Sequence, residues 1–109
     1  MVDPLEERCR AINGNLGQEF GRLLTSTLGL AFTFLNGAED CLRSGDGQRA
    51  NARIEKTLRA HDLVVQGILS HGHLIDSQAL RIIEGRLLDL EAALQALLPV
   101  RDEQMRLIA

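Results

Sequence analysis

LRIIEGRLLDLEAALQAL, residues 80–97, sets Leu80, Ile83, Leu87, Leu90, Leu94 and Leu97 at alternating spacings of three and four. That interval returns each side chain to one stripe of an α-helix. Two earlier stretches repeat the pattern: Ile54, Leu58, His61, Val65, Ile68, and before them Phe20, Leu24, Thr27, Ala31, Phe34, Ala38, Cys41. Between Leu28 and Phe34 the alternation of Leu28, Leu30, Phe32 and Phe34 has the period of a strand, but the helical spacing continues on both sides of it. The expectation is an all-α chain whose helices pack side by side.

The punctuation between stripes sets the boundaries. Asp3-Pro4-Leu5-Glu6 reads as a helix start, with Asp3 as cap, Pro4 in the first turn and Glu6 closing a capping box. Asn13-Gly14-Asn15 reads as a break, with Asn15 capping a new helix; one long kinked helix is the alternative. Gly45 suits a left-handed C-terminal position, Asp46 caps the next helix, Gly72 stops it, and Asp76 or Ser77 caps the last. Pro99 ends that helix at Leu98. The spacing therefore predicts helices over about residues 4–12, 16–43, 47–70 and 77–98, a tail over 99–109, and one domain over 1–109. Loops this short favour an antiparallel up-down helical bundle of three long helices plus a short N-terminal one. Gly21, Gly29 and Gly37 recur every eight residues, where another backbone could approach closely.

Composition narrows the function classes. Aromatic residues make up 3% of 109, with no Trp or Tyr, which disfavours base stacking on single-stranded nucleic acid. The net charge of −3 lacks the overall footprint of a nucleic-acid binder. Arg49, Arg53, Lys56 and Arg59 nevertheless form a local basic face suited to an acidic partner. Two cysteines, Cys9 and Cys41, are too few for a disulfide framework, and Cys41 on the stripe reads as a small buried hydrophobe. The acidic N-terminus is unlike a secretory signal, and the run Leu28–Leu35 is shorter than a membrane span. The expectation is a cytoplasmic protein with no membrane or nucleic-acid partner.

Chemistry-bearing clusters are sparse. His71, His73 and Asp76 gather in one loop but lack a fourth metal ligand. No Glu precedes a His by three residues, as a di-iron bundle needs, and no phosphate-cradling glycine loop is present. No nucleophile–base motif can be assembled, so the expected chain is not an enzyme and carries no cofactor or metal.

Ala60-His61-Asp62-Leu63 resembles the phosphoacceptor helix of sensor histidine kinases and histidine phosphotransfer domains, which implies His61 as phosphoacceptor. The chain departs from those patterns at Val64 and Val65. Leu35-Asn36-Gly37-Ala38-Glu39, the turn Ser44-Gly45-Asp46, and Ala50-Asn51-Ala52-Arg53-Ile54-Glu55-Lys56 resemble the flagellin export chaperones. Those are small antiparallel helical bundles, so this resemblance implies a secretion chaperone. The family's tyrosine and aromatic-rich later helix are absent here.

Phe32, Leu63, Ile82 and Leu88 lie off the main stripes. A second apolar face on a small helical chain implies a partner, either the short N-terminal helix or a second copy; a homodimer is the preferred reading, and the same residues would anchor a helix of another protein held in a groove. The function expected from the residues is a non-catalytic helical interaction module, an adaptor or small chaperone-like protein.

Overall fold

The computed structural model describes residues 3–108, and of Asn13 and Ile108 only the backbone. Three long helices make up the fold: α1 (Pro4–Arg43), α2 (Gly47–His71) and α3 (Ser77–Ile108). A short 3-10 turn, Gly72–Leu74, joins α2 to α3.

Capping chemistry accounts for most of the boundaries. Asp3 accepts a hydrogen bond from the Leu5 amide at 3.0 Å, with Pro4 in the first turn. Glu6 does not return to the cap as a box would; its carboxylate pairs with Arg10 at 3.5 Å. At the other end of α1, the Gly45 amide donates to the Leu42 carbonyl and the Asp46 amide to the Cys41 carbonyl. That doubly bonded close requires the left-handed φ of +77° at Gly45, where a side chain would be strained. Asp46 then caps α2 through the Arg49 amide, and Asp76 caps α3 through the amides of Gln78 and Ala79.

Two expected boundaries are corrected. No separate N-terminal helix exists: α1 runs unbroken through Asn13-Gly14-Asn15 for 40 residues. Gly and Asn each lower helix propensity by about 1 kcal/mol or less, whereas ending one helix and opening another strands amides and carbonyls at both ends. Likewise the last helix does not end at Leu98, because α3 carries Pro99 in its interior and continues to Ile108. Tertiary bonds beyond the proline hold it there. Arg101 donates to the Asn51 side chain at 3.2 Å, and Gln104 donates to the Leu42 carbonyl at 2.9 Å.

The core stripe on α1 is rotated from its expected place. Gly21, Leu24, Leu28, Ala31, Leu35, Ala38 and Leu42 are buried. Thr27, Phe34 and Cys41 are only half-buried, so Cys41 is not the buried hydrophobe expected. The two rows share Leu24, Ala31 and Ala38 and differ by one residue between them. Size decides which row turns inward. Small alanines let the helices approach, and phenylalanine rings are too bulky for that seam. The three rings sit at its margins, Phe20 tilted against His71, Phe34 beneath Lys56 and Phe32 beneath Arg86.

On α2 the buried row is Ala50, Ile54, Thr57, Ala60 and Val64, with Leu58, His61, Val65 and Ile68 half-buried beside it. Thr57 is fully buried and donates its hydroxyl to the Arg53 carbonyl at 2.9 Å, which satisfies the one polar group on that row. The expected α3 row holds: Ile83, Leu90 and Leu94 are buried and Leu80, Leu87 and Leu97 half-buried. Thr25, Thr27 and Thr33 fit mid-helix by donating back to the carbonyls of Gly21, Leu23 and Gly29.

Contacts between helices follow a ladder. Rising positions on α1 meet falling positions on α2, as in Phe20 with His71, Leu24 beside Gly67, Phe34 with Lys56 and Gly37 beneath Arg53. The α2–α3 pairs behave the same way, Asn51 with Arg101 and His61 with Glu91. Close backbone approach occurs at Gly17, where an added Cβ would collide with the Leu74 carbonyl. Gly29 faces open space.

Candidate interaction surface

The ladder begins near Phe20, so the first turns of α1 extend past the ends of α2 and α3. Apart from Asn13, every residue from Asp3 to Leu16 is exposed. The described molecule measures 70 × 18 × 17 Å, with a radius of gyration of 18.3 Å against about 13 Å for a compact chain of this length. Its accessible surface is 7511 Å², where a compact 12.0 kDa monomer exposes about 6000 Å². The excess is large compared with the roughly 800 Å² that each partner buries in a standard interface.

Much of that surface is apolar and ordered in rows. Leu5, Ile12, Leu16, Leu23 and Leu30 stand 52–70% exposed on α1. With exposed Cys9, Glu19 and Ser26 they recur at spacings of four and three. At about 100° per residue, this row lies nearly opposite the buried one. The sequence reading missed it. Its signal was present as a second interleaved period, obscured by the break placed at Asn13-Gly14-Asn15.

The four off-stripe residues do not gather on one face. Phe32 is half-buried between α1 and α3 with the Arg86 guanidinium 4.9 Å from its ring centre. Leu63, Ile82 and Leu88 are 65–66% exposed on α2 and α3. Ile82 borders an open groove of about 910 Å³ between the first half of α1 and the start of α3. On its α1 side Gly14, Gly17 and Gly21 alternate with Gln18, Arg22, Thr25 and Ser26, and Ile75 and Ile83 help to line the other. The glycines leave room between the Gln18 and Arg22 side chains, and the groove is wide enough to take another helix.

His61 sits at the edge of the α2–α3 contact with its side chain 19% exposed. Its Nε2 is 2.8 Å from Glu91 on α3, and its Nδ1 is 3.2 Å from Asp62. Burial opposes the charged imidazolium, but the hydrogen bonds and charges of Glu91 and Asp62 outweigh it and raise the pKa above 6.5. In the charged form both ring nitrogens donate, tying α2 to α3.

His71, His73 and Asp76 do not converge. His71 packs on Phe20 with ring centres 4.9 Å apart, and the Asp76 carboxylate caps α3. Among the described residues no three His, Cys, Asp or Glu side chains are grouped to hold a metal ion. The basic face is exposed along α2, with Arg49 3.9 Å from Asp46 and Lys56 5.5 Å from the Phe34 ring centre. No helix of the described residues is long and apolar enough to cross a membrane.

Neither family models, characterised proteins nor solved structures give a match to this chain. Its function is therefore argued from the geometry.

Proposed function

We propose that this protein is a non-catalytic helical interaction module, an antiparallel up-down bundle that works by presenting apolar helix faces to other helices. The surface carries the reading: large aliphatic side chains stand in water on all three helices of a chain that exposes about a quarter more area than a compact monomer. The groove between α1 and the start of α3 is the site for a partner helix, with Ile82 as its rim anchor and Leu63 and Leu88 as anchors on the outer faces. Arg49, Arg53, Lys56 and Arg59 favour a partner with an acidic flank.

Affinity capture from the native host tests this, comparing the wild type with Leu63→Asp/Ile82→Asp at unchanged helicity. A partner bound by the wild type and lost from the variant supports the reading. Identical partners for both, or none for either, would sink it.

The phosphotransfer alternative places the chemistry on His61. It requires Nε2 to leave Glu91 and a phosphoryl group to enter beside two carboxylates, an electrostatically costly position. Incubation with a small-molecule phosphodonor, followed by phosphoramidate detection, separates it from the interaction reading. A secretion chaperone is a special case of the interaction module, distinguished by the partner captured.

A further inference from the structure

Leu5, Cys9, Ile12, Leu16, Glu19, Leu23, Ser26 and Leu30 form a heptad row about 37 Å long that is exposed along its whole length. We propose that this outer face of α1 is a self-interface, closed by a second copy of the chain lying antiparallel across a two-fold axis between Gly17 and Gln18. Leu5 then meets Leu30 of the second copy, Ile12 meets Leu23, Cys9 meets Ser26 and Leu16 meets Glu19, each pair occurring twice. The inference rests on the interaction-module reading and assigns one of its faces.

Three observations favour this occupant and register. First, the row is self-complementary: the four outer large residues pair with one another, and the small pair Cys9 and Ser26 falls between them. Second, the flanks carry no like-charge pair, and the two Glu19 carboxylates, a layer apart across the axis, are each neutralised by Arg22 of their own chain. Arg8 falls beside Thr27 and Gly29 of the second copy, Arg22 falls beside Asn15, and Glu19 keeps Arg22 of its own chain at 3.2 Å. Sliding by one heptad would set Arg8 against Arg22 and leave Leu30 in water. Parallel pairing in register would stack Glu19 on Glu19. Third, the projecting turns of α1 gain no packing from their own protomer. An isolated helical end of that length is marginal in water, and pairing along the second copy covers it. The excess surface of 7511 Å² over about 6000 Å² is ample for such a contact.

The experiment uses the full chain. Light scattering on a size-exclusion column over a tenfold concentration range should give a dimer, and Leu23→Asp should weaken it at least a hundredfold with unchanged circular dichroism. A short bis-maleimide then reads the register in a Cys41→Ala background. Cys9 alone should not cross-link, because the two copies of Cys9 lie about 26 Å apart along the axis. Adding Ser26→Cys should produce a covalent dimer joined between positions 9 and 26. A wild-type monomer throughout, a dimer indifferent to Leu23→Asp, or a Cys9–Cys9 cross-link would each overturn the proposal. So would a monomer whose α1 face is covered by a different protein. Those results concern α1 alone, and capture with Leu63→Asp/Ile82→Asp still decides the wider function.

Discussion

His61 is the residue where fold and solution conditions meet. Its pKa lies above 6.5 in the folded protein, so protons bind the folded state more tightly than the unfolded one. The resulting stabilisation is fully present below about pH 6.5 and fades as pH rises through the folded value. Denaturant midpoints measured from pH 5.5 to 8.5 should therefore fall across that window, and Glu91→Gln should flatten the slope. A slope unchanged by Glu91→Gln would remove Glu91 as the main partner. Gly17 presents a steric constraint instead: Gly17→Ala pushes a methyl into the Leu74 carbonyl and should destabilise the junction of α1 with the 3-10 turn. Leu90, wholly buried on α3, should cost about 2–5 kcal/mol as Leu90→Ala in chemical denaturation.

For the helices as elements, local cost and tertiary gain can be separated by substitution. Pro99 removes a backbone donor inside α3, so Pro99→Ala should stabilise the protein by up to about 3 kcal/mol. Gly85 faces open space mid-helix, and Gly85→Ala should add about 0.5–1 kcal/mol. Thermal melts of the two single variants check both. The same contrast explains which boundaries were legible. Asp3, Gly45, Asp46 and Asp76 act through backbone bonds within a few residues, so their chemistry is visible in the chain alone. Pro99 is overruled by Asn51 and Leu42, residues no local window contains. The core row of α1 was off by one residue for a related reason. Period alone cannot choose between Phe34 and Leu35 when both flank Ala31 and Ala38, and ring size against a neighbouring helix can. The exposed row through Ile12, Leu23 and Leu30 follows the same arithmetic and was legible in principle, but only once α1 is known to be continuous.

The whole molecule is a rod with one end unpacked. If α1 pairs with a second copy, stability is linked to concentration, and the calorimetric midpoint of the wild type should rise over a tenfold dilution series read upward. Deleting residues 1–13 removes Leu5, Cys9 and Ile12, and with them three of the four kinds of pair, and touches none of the described core, so that variant should melt at a midpoint independent of concentration. A concentration-dependent midpoint surviving the deletion would move the self-contact elsewhere. The last bonds of α3 carry a different consequence. They tie Gln104 to Leu42 and Arg101 to Asn51, across 62 and 50 residues of chain. On a ribosome, the α1–α2 ladder can close as soon as residue 71 emerges, because every rung of it lies upstream. Leu28, Ile54 and Val64 then wait with one side wet until α3 has been synthesised past its proline. The nascent chain is stickiest in that interval, and any chaperone that reads apolar helices would meet this protein there.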